Sequence, residues 1–102
     1  MEIENRSDNK HIAWLSDGVT LTVKGSNCGV YGKVDSEEEG TFTWVIDERG
    51  EGTNYYLDLS PERRIDLAAE NFLMTAEEDC LEFDENTQPS EALLKLVKSI
   101  TL

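Results

Sequence analysis

The chain has 102 residues, 38% hydrophobic and 30% charged, with 22 acids against nine bases and a formal net charge of −13. That length fits one domain with a modest core, and the composition excludes a disordered or fibrous chain. The charge argues against direct binding to nucleic acid or to an anionic membrane, which would repel it, and makes a basic protein surface the natural complement.

Residues 1–10, "MEIENRSDNK", are polar and are expected to form a frayed N-terminal segment ahead of one α+β domain over 11–102. They carry neither a basic nor an apolar leader region, and no apolar run approaches the roughly 18–20 residues of a membrane span, so a cytoplasmic location is expected. "HIAWLS" (11–16) opens the strand pattern, and "SDG" (16–18) marks a turn in which Gly18 takes positive φ. "VTLTVKG" (19–25) alternates with a period of two: Val19, Leu21 and Val23 on one face, Thr20, Thr22 and Lys24 on the other.

A turn at "GSN" leads into the strand "CGVYGKV" (28–34), where Gly29 and Gly32 signal a bulge or a close backbone approach. An acidic connection over 35–40 follows. "TFTWVID" (41–47) then places Phe42, Trp44 and Ile46 on one face, with Trp44 expected in the core. "ERGEG" (48–52) is a turn, and "TNYYLDL" (53–59) reads as a fifth strand. Tyr55 and Tyr56 alternate there, which makes Tyr56 a candidate surface anchor.

At Ser60 the period changes. Ser60 as N-cap and Pro61 at the first helical position start a helix over 60–74, with Ile65, Ala68, Ala69 and Phe72 on one face. "TAEED" (75–79) breaks it or adds one turn, and "CLEFDE" (80–85) reads as a short edge strand. "SEALLKLVKSI" (90–100) is a second amphipathic helix, with Leu93, Leu96, Val97 and Ile100 on one face. The expected fold is therefore α+β: a five- to six-stranded, mostly antiparallel meander with two amphipathic helices in the C-terminal half. The helices cover one sheet face. The other, bearing Thr, Lys, Tyr and acids, is left solvated or available for binding.

No motif names a reaction. Chance alone supplies carboxylate pairs in so acidic a chain, and "DSEEEG" and "DEN" lack the ligand spacing of a calcium loop. There is no phosphate-cradling glycine loop. His11 is the one histidine; with Cys28 and Cys80 it offers neither a zinc set nor a local nucleophile pattern, and the two thiols are expected to be reduced. No catalytic residue, cofactor or metal is expected, and the chain is not expected to be an enzyme.

The acids are distributed unevenly. Residues 35–51 hold Asp35, Glu37, Glu38, Glu39, Asp47, Glu48 and Glu51. Residues 77–91 hold Glu77, Glu78, Asp79, Glu82, Asp84, Glu85 and Glu91, and no Lys or Arg lies between Arg64 and Lys95. With Tyr56, these acids, Glu91 excepted, are the candidate partner-binding residues; those in the 35–40 and 48–52 connections, at opposite ends of strand 41–47, are expected to form a ridge. A small acidic binding protein is the expected function, monomeric when free. An immunity protein that plugs the basic cleft of a nuclease toxin comes first, a nucleic-acid mimic of anti-restriction or anti-CRISPR type second, and a structural or assembly subunit third. Size and charge alone relate the chain to these groups.

Overall fold

A computed structural model describes residues 2–7, 9–26, 29–47, 58–77, 82–83 and 88–100. Its strands are β1 (Glu2–Ser7), β2 (Lys10–Ser16), β3 (Val19–Ser26), β4 (Gly29–Ser36), β5 (Gly40–Asp47) and the two-residue β6 (Glu82–Phe83). They pair antiparallel in sequence order, so β1 to β5 form a five-stranded meander, with β6 on the outer edge of β5. The helices are α1 (Pro61–Glu77) and α2 (Glu91–Lys98). The α+β meander with two C-terminal-half helices is the architecture that the alternation and the helix periodicity predict.

Register explains which face is buried. Ala13 opposes Leu21, Leu21 opposes Val34, and Val34 opposes Phe42, so one row of apolar side chains crosses four strands on a single face. α1 lies over that face, touching all five long strands and chiefly β3, and α2 packs against α1. Ile65, Ala68, Ala69 and Phe72 are fully buried at the predicted spacing, and Leu93 and Val97 continue the core from α2. Phe72 is the junction between the layers. Its ring centroid lies 5.0 Å from Trp44 and 6.4 Å from Phe42, the latter edge-on at 69°.

Gly32 shows why a glycine sits inside β4. It opposes Trp44 on the core face, and a Cβ there would collide with the six-membered ring of the indole. A rigid ring cannot yield as a flexible side-chain tip does. Gly32→Ala is expected to lose about 2 kcal/mol of unfolding free energy, read as a lower urea midpoint at unchanged slope. A midpoint within error of wild type would mean that Trp44 does not lie across β4 at this position.

One expectation needs correction, and two others are answered in part. Residues 2–7, expected to fray with the rest of the polar N-terminal segment, form β1. Ile3 opposes Ala13 on the core side, Asn5 Oδ1 accepts from His11 Nδ1, and Arg6 pairs with Glu4 at 3.4 Å on the exposed side. One apolar residue in a charged strand is a weak sequence signal, although it suits a sheet edge. The strand expected over 53–59 lies mostly outside the described residues, and its last two, Asp58 and Leu59, form a turn into α1. For 75–79, where a break or one more turn is expected, the helix takes the added turn. The Thr75 hydroxyl donates to the Asn71 carbonyl at 2.6 Å and stays within the helix, which runs on to Glu77.

Ser60 caps α1, its Oγ accepting the Arg63 N–H at 3.2 Å, and Ser90 caps α2, accepting the Leu93 N–H at 3.1 Å. Among the described residues no helix is long and apolar enough to cross a membrane.

Candidate protein-binding surface

A meander places alternate turns at the same end of its sheet. The β2–β3 turn at Asp17–Gly18 and the β4–β5 turn at Glu37–Glu39 are therefore neighbours, and Val19 opposes Ser36 between them. Gly18 takes φ +79°, which a side chain rarely tolerates, and turns its carbonyl to accept the Glu37 N–H at 2.9 Å. The Glu39 N–H donates to Ser36 Oγ at 3.1 Å. The two turns are thus tied to each other and to the sheet.

The carboxylates on these turns gather at one end of the molecule. Asp17, Glu37 and Glu38 are exposed and make no ion pair among the described residues. Glu2 at the start of β1 shares a depression with Asp17 and Glu37, and a second depression of about 250 Å³ joins Asp17, Glu37, Glu38 and Glu39 to Leu93 and Leu96 of α2. Among the described residues no Lys or Arg lines either depression. A surface of one sign with an apolar neighbour suits a basic protein face.

Glu39 has a structural task as well. Its carboxylate accepts the Ser90 backbone N–H at 2.8 Å and the Ser90 hydroxyl at 2.7 Å, which fixes the start of α2 against the acidic turn. A negative charge at a helix N-terminus is favourable. Glu39→Ala is expected to cost about 1 kcal/mol in urea unfolding, and Ser90→Ala a similar amount. Because both act on the same contact, the double variant should cost less than the sum; strict additivity would show that the link contributes nothing.

The remaining predicted residues do not join this group. Asp35 lies on the exposed sheet face, where Thr41 Oγ1 donates to it at 2.8 Å and Lys33 Nζ approaches to 3.4 Å. Asp47 closes β5, roughly 23 Å from the acidic turn at about 3.3 Å per residue. Glu77 is exposed at the C-terminal end of α1, and Glu82 pairs with Thr43 at the sheet edge. Glu48, Glu51, Tyr56, Glu78, Asp79, Asp84 and Glu85 lie outside the described residues, as do Cys28 and Cys80.

The chain matches no protein-family model, no curated protein and no solved structure. Its surface therefore carries the functional argument. Asp17 and Glu2 are the site residues that sequence reasoning missed. Turn parity in the meander would have found Asp17; Glu2 was concealed by the expectation of a frayed terminus.

His11 also differs from an ordinary polar histidine at a strand start. It is only 2% exposed, and its Nε2 accepts from the buried Arg64 guanidinium. Arginine can only donate, so the ring proton sits on Nδ1 and goes to Asn5 Oδ1. The ring thereby ties β1 and β2 to α1. Arg63, one residue earlier on that helix, faces solvent, where Glu70 and then Asp66 raise its pKa above the ordinary value. Among the described residues no group of three His, Cys, Asp or Glu is placed to hold a metal ion.

Proposed function

We propose that the chain is a small acidic binding protein that neutralises a basic partner, an immunity protein against a nuclease-type toxin. The observation that carries this is the rim of Asp17, Glu37 and Glu38 on two mutually bonded turns, without a described cation among them. Nuclease clefts hold phosphates with Lys and Arg. Carboxylates on a fixed scaffold meet those groups without the ordering cost that a flexible acidic tail would incur.

A duplex mimic needs charge repeated along a line. Asp17, Glu37, Glu38 and Glu39 instead cluster at one end of the sheet, and Asp47 is separated from them by the length of β5. That favours a plug over a mimic. On this proposal the protein acts without cofactor or catalysis, in the cytoplasm, and is a monomer before it binds.

Affinity capture on the immobilised protein at low salt, from cells of the source organism, tests the proposal. The expected result is a basic polypeptide whose nuclease activity disappears when the free protein is added back. Retention of no nuclease would contradict it. Elution of the free protein from a sizing column as a stable oligomer would favour an assembly subunit instead.

A further inference from the structure

The sheet face opposite the helices carries a charge pattern that the chain's acidity does not predict. Lys10 and Lys24 are direct cross-strand partners on it. Like charges in that position are destabilising, and among the described residues neither lysine makes an ion pair. Arg6 and Lys33 line the same concavity, so four of the chain's nine bases meet on one face of a protein with net charge −13. Among the described residues Asp35 is the one acid lining it, engaged by Lys33 and Thr41, and Arg6 pairs with Glu4.

The rest of the lining mixes apolar and aromatic side chains with Thr20, Thr22 and Thr43. Lys24 opposes Tyr31 and Tyr31 opposes Val45, which puts two cations, a phenol and an aliphatic side chain in one row across four strands. Trp14 and Val45 stay 46% and 45% exposed, whereas Ile12 and Thr22 between the taller side chains are 9% and 8% exposed. The result is a trough of about 900 Å³ with a low floor, an apolar wall and a cationic end, lined also by Gly32, Trp44 and Thr75 of α1. That volume is within the usual range for a small-molecule site.

We propose that this trough binds a small aromatic anion. Its charged group sits between Lys10 and Lys24, where it removes their mutual repulsion, and its ring system lies over Ile12 between Tyr31 and Trp14. Charge selects the size of the occupant. A polyanion long enough to leave the trough meets the acidic remainder of the surface, whereas a ligand with one charged group meets Lys10 and Lys24, the nearby Asp35 and Glu4 being engaged by Lys33 and Arg6. The site lies on a different surface from the acidic rim and does not depend on the proposed toxin partner.

The probe is 1-anilinonaphthalene-8-sulfonate, titrated against the intact protein at low ionic strength and followed by its fluorescence. Saturable one-site binding is expected, with a dissociation constant on the order of tens of micromolar. Lys10→Gln with Lys24→Gln should weaken it roughly tenfold, and Trp14→Ala by a similar factor. The lysine variant should melt at or above the wild-type temperature, because it relieves a repulsion. The neutral analogue N-phenyl-1-naphthylamine should bind the lysine variant and wild type alike. Absence of saturable binding, or equal sulfonate affinity in the lysine variant, overturns the proposal. If laurate displaces the probe with tenfold tighter affinity, the occupant is an acyl carboxylate and the aromatic assignment falls.

Discussion

Phe72→Ala is expected to remove about 4 kcal/mol of unfolding free energy, from a total of roughly 5–15 kcal/mol for a domain of this size. Phe72 is fully buried and touches both aromatic rings of β5, Phe42 and Trp44. Truncation leaves a cavity where α1 meets the sheet, and the surroundings are too constrained to fill it. Trp44 already spans the gap left by Gly32, and Ala68 and Ala69 on the same helix face carry only methyl groups that cannot swing in. Phe72→Leu keeps most of the volume and should lose only about 1.5 kcal/mol. Urea unfolding of both variants checks the pair. Equal losses from the two would show that ring packing does not hold the layers together.

The elements most legible in the sequence have a strict period. Val19, Leu21 and Val23, then Phe42 and Trp44, announce two central strands by alternation alone, and Ile65, Ala68, Ala69 and Phe72 announce α1. β1 was illegible because Ile3 is its one apolar side chain. Pairing with β2, and the Asn5–His11–Arg64 hydrogen bonds, make it a strand. Such long-range partners are invisible to a local window. Gly32 was legible as an anomaly, and Trp44 supplies its meaning.

Reversing three charges, Asp17→Lys, Glu37→Lys and Glu38→Lys together, is expected to slow association with a basic partner roughly 100-fold, because steering by complementary fields is worth about 10 to 1,000 in rate. Dissociation should change less. All three side chains are exposed and make no ion pair among the described residues, so the fold should tolerate the change. Glu39 is left out of the set because it holds Ser90 at the start of α2, and its loss would mix stability with binding. Glu77→Lys, away from the rim, serves as the control and should alter the rate less than threefold.

The candidate site was half legible. The run Glu37–Glu39 stands out in the sequence, yet its members divide between an open rim and a structural clasp, and only the placement of α2 reveals the division. Of the expected ridge along β5, the described residues place Glu37 to Glu39 at one end and Asp47 at the other, with Asp35 on the exposed face; Glu48 and Glu51 lie outside them. The cationic trough was visible in part, as Lys and Tyr on the outward-facing positions. The direct opposition of Lys10 and Lys24 depends on register, which composition does not encode.

The central claim is that the acidic end recognises a basic protein by charge. Its most direct test is the association rate of the wild-type protein with the captured partner, followed by stopped flow from about 20 to 500 mM salt. The rate should fall by at least tenfold across that range, and the triple-lysine variant should show a flat or rising dependence. A wild-type rate that does not change with salt would contradict the account.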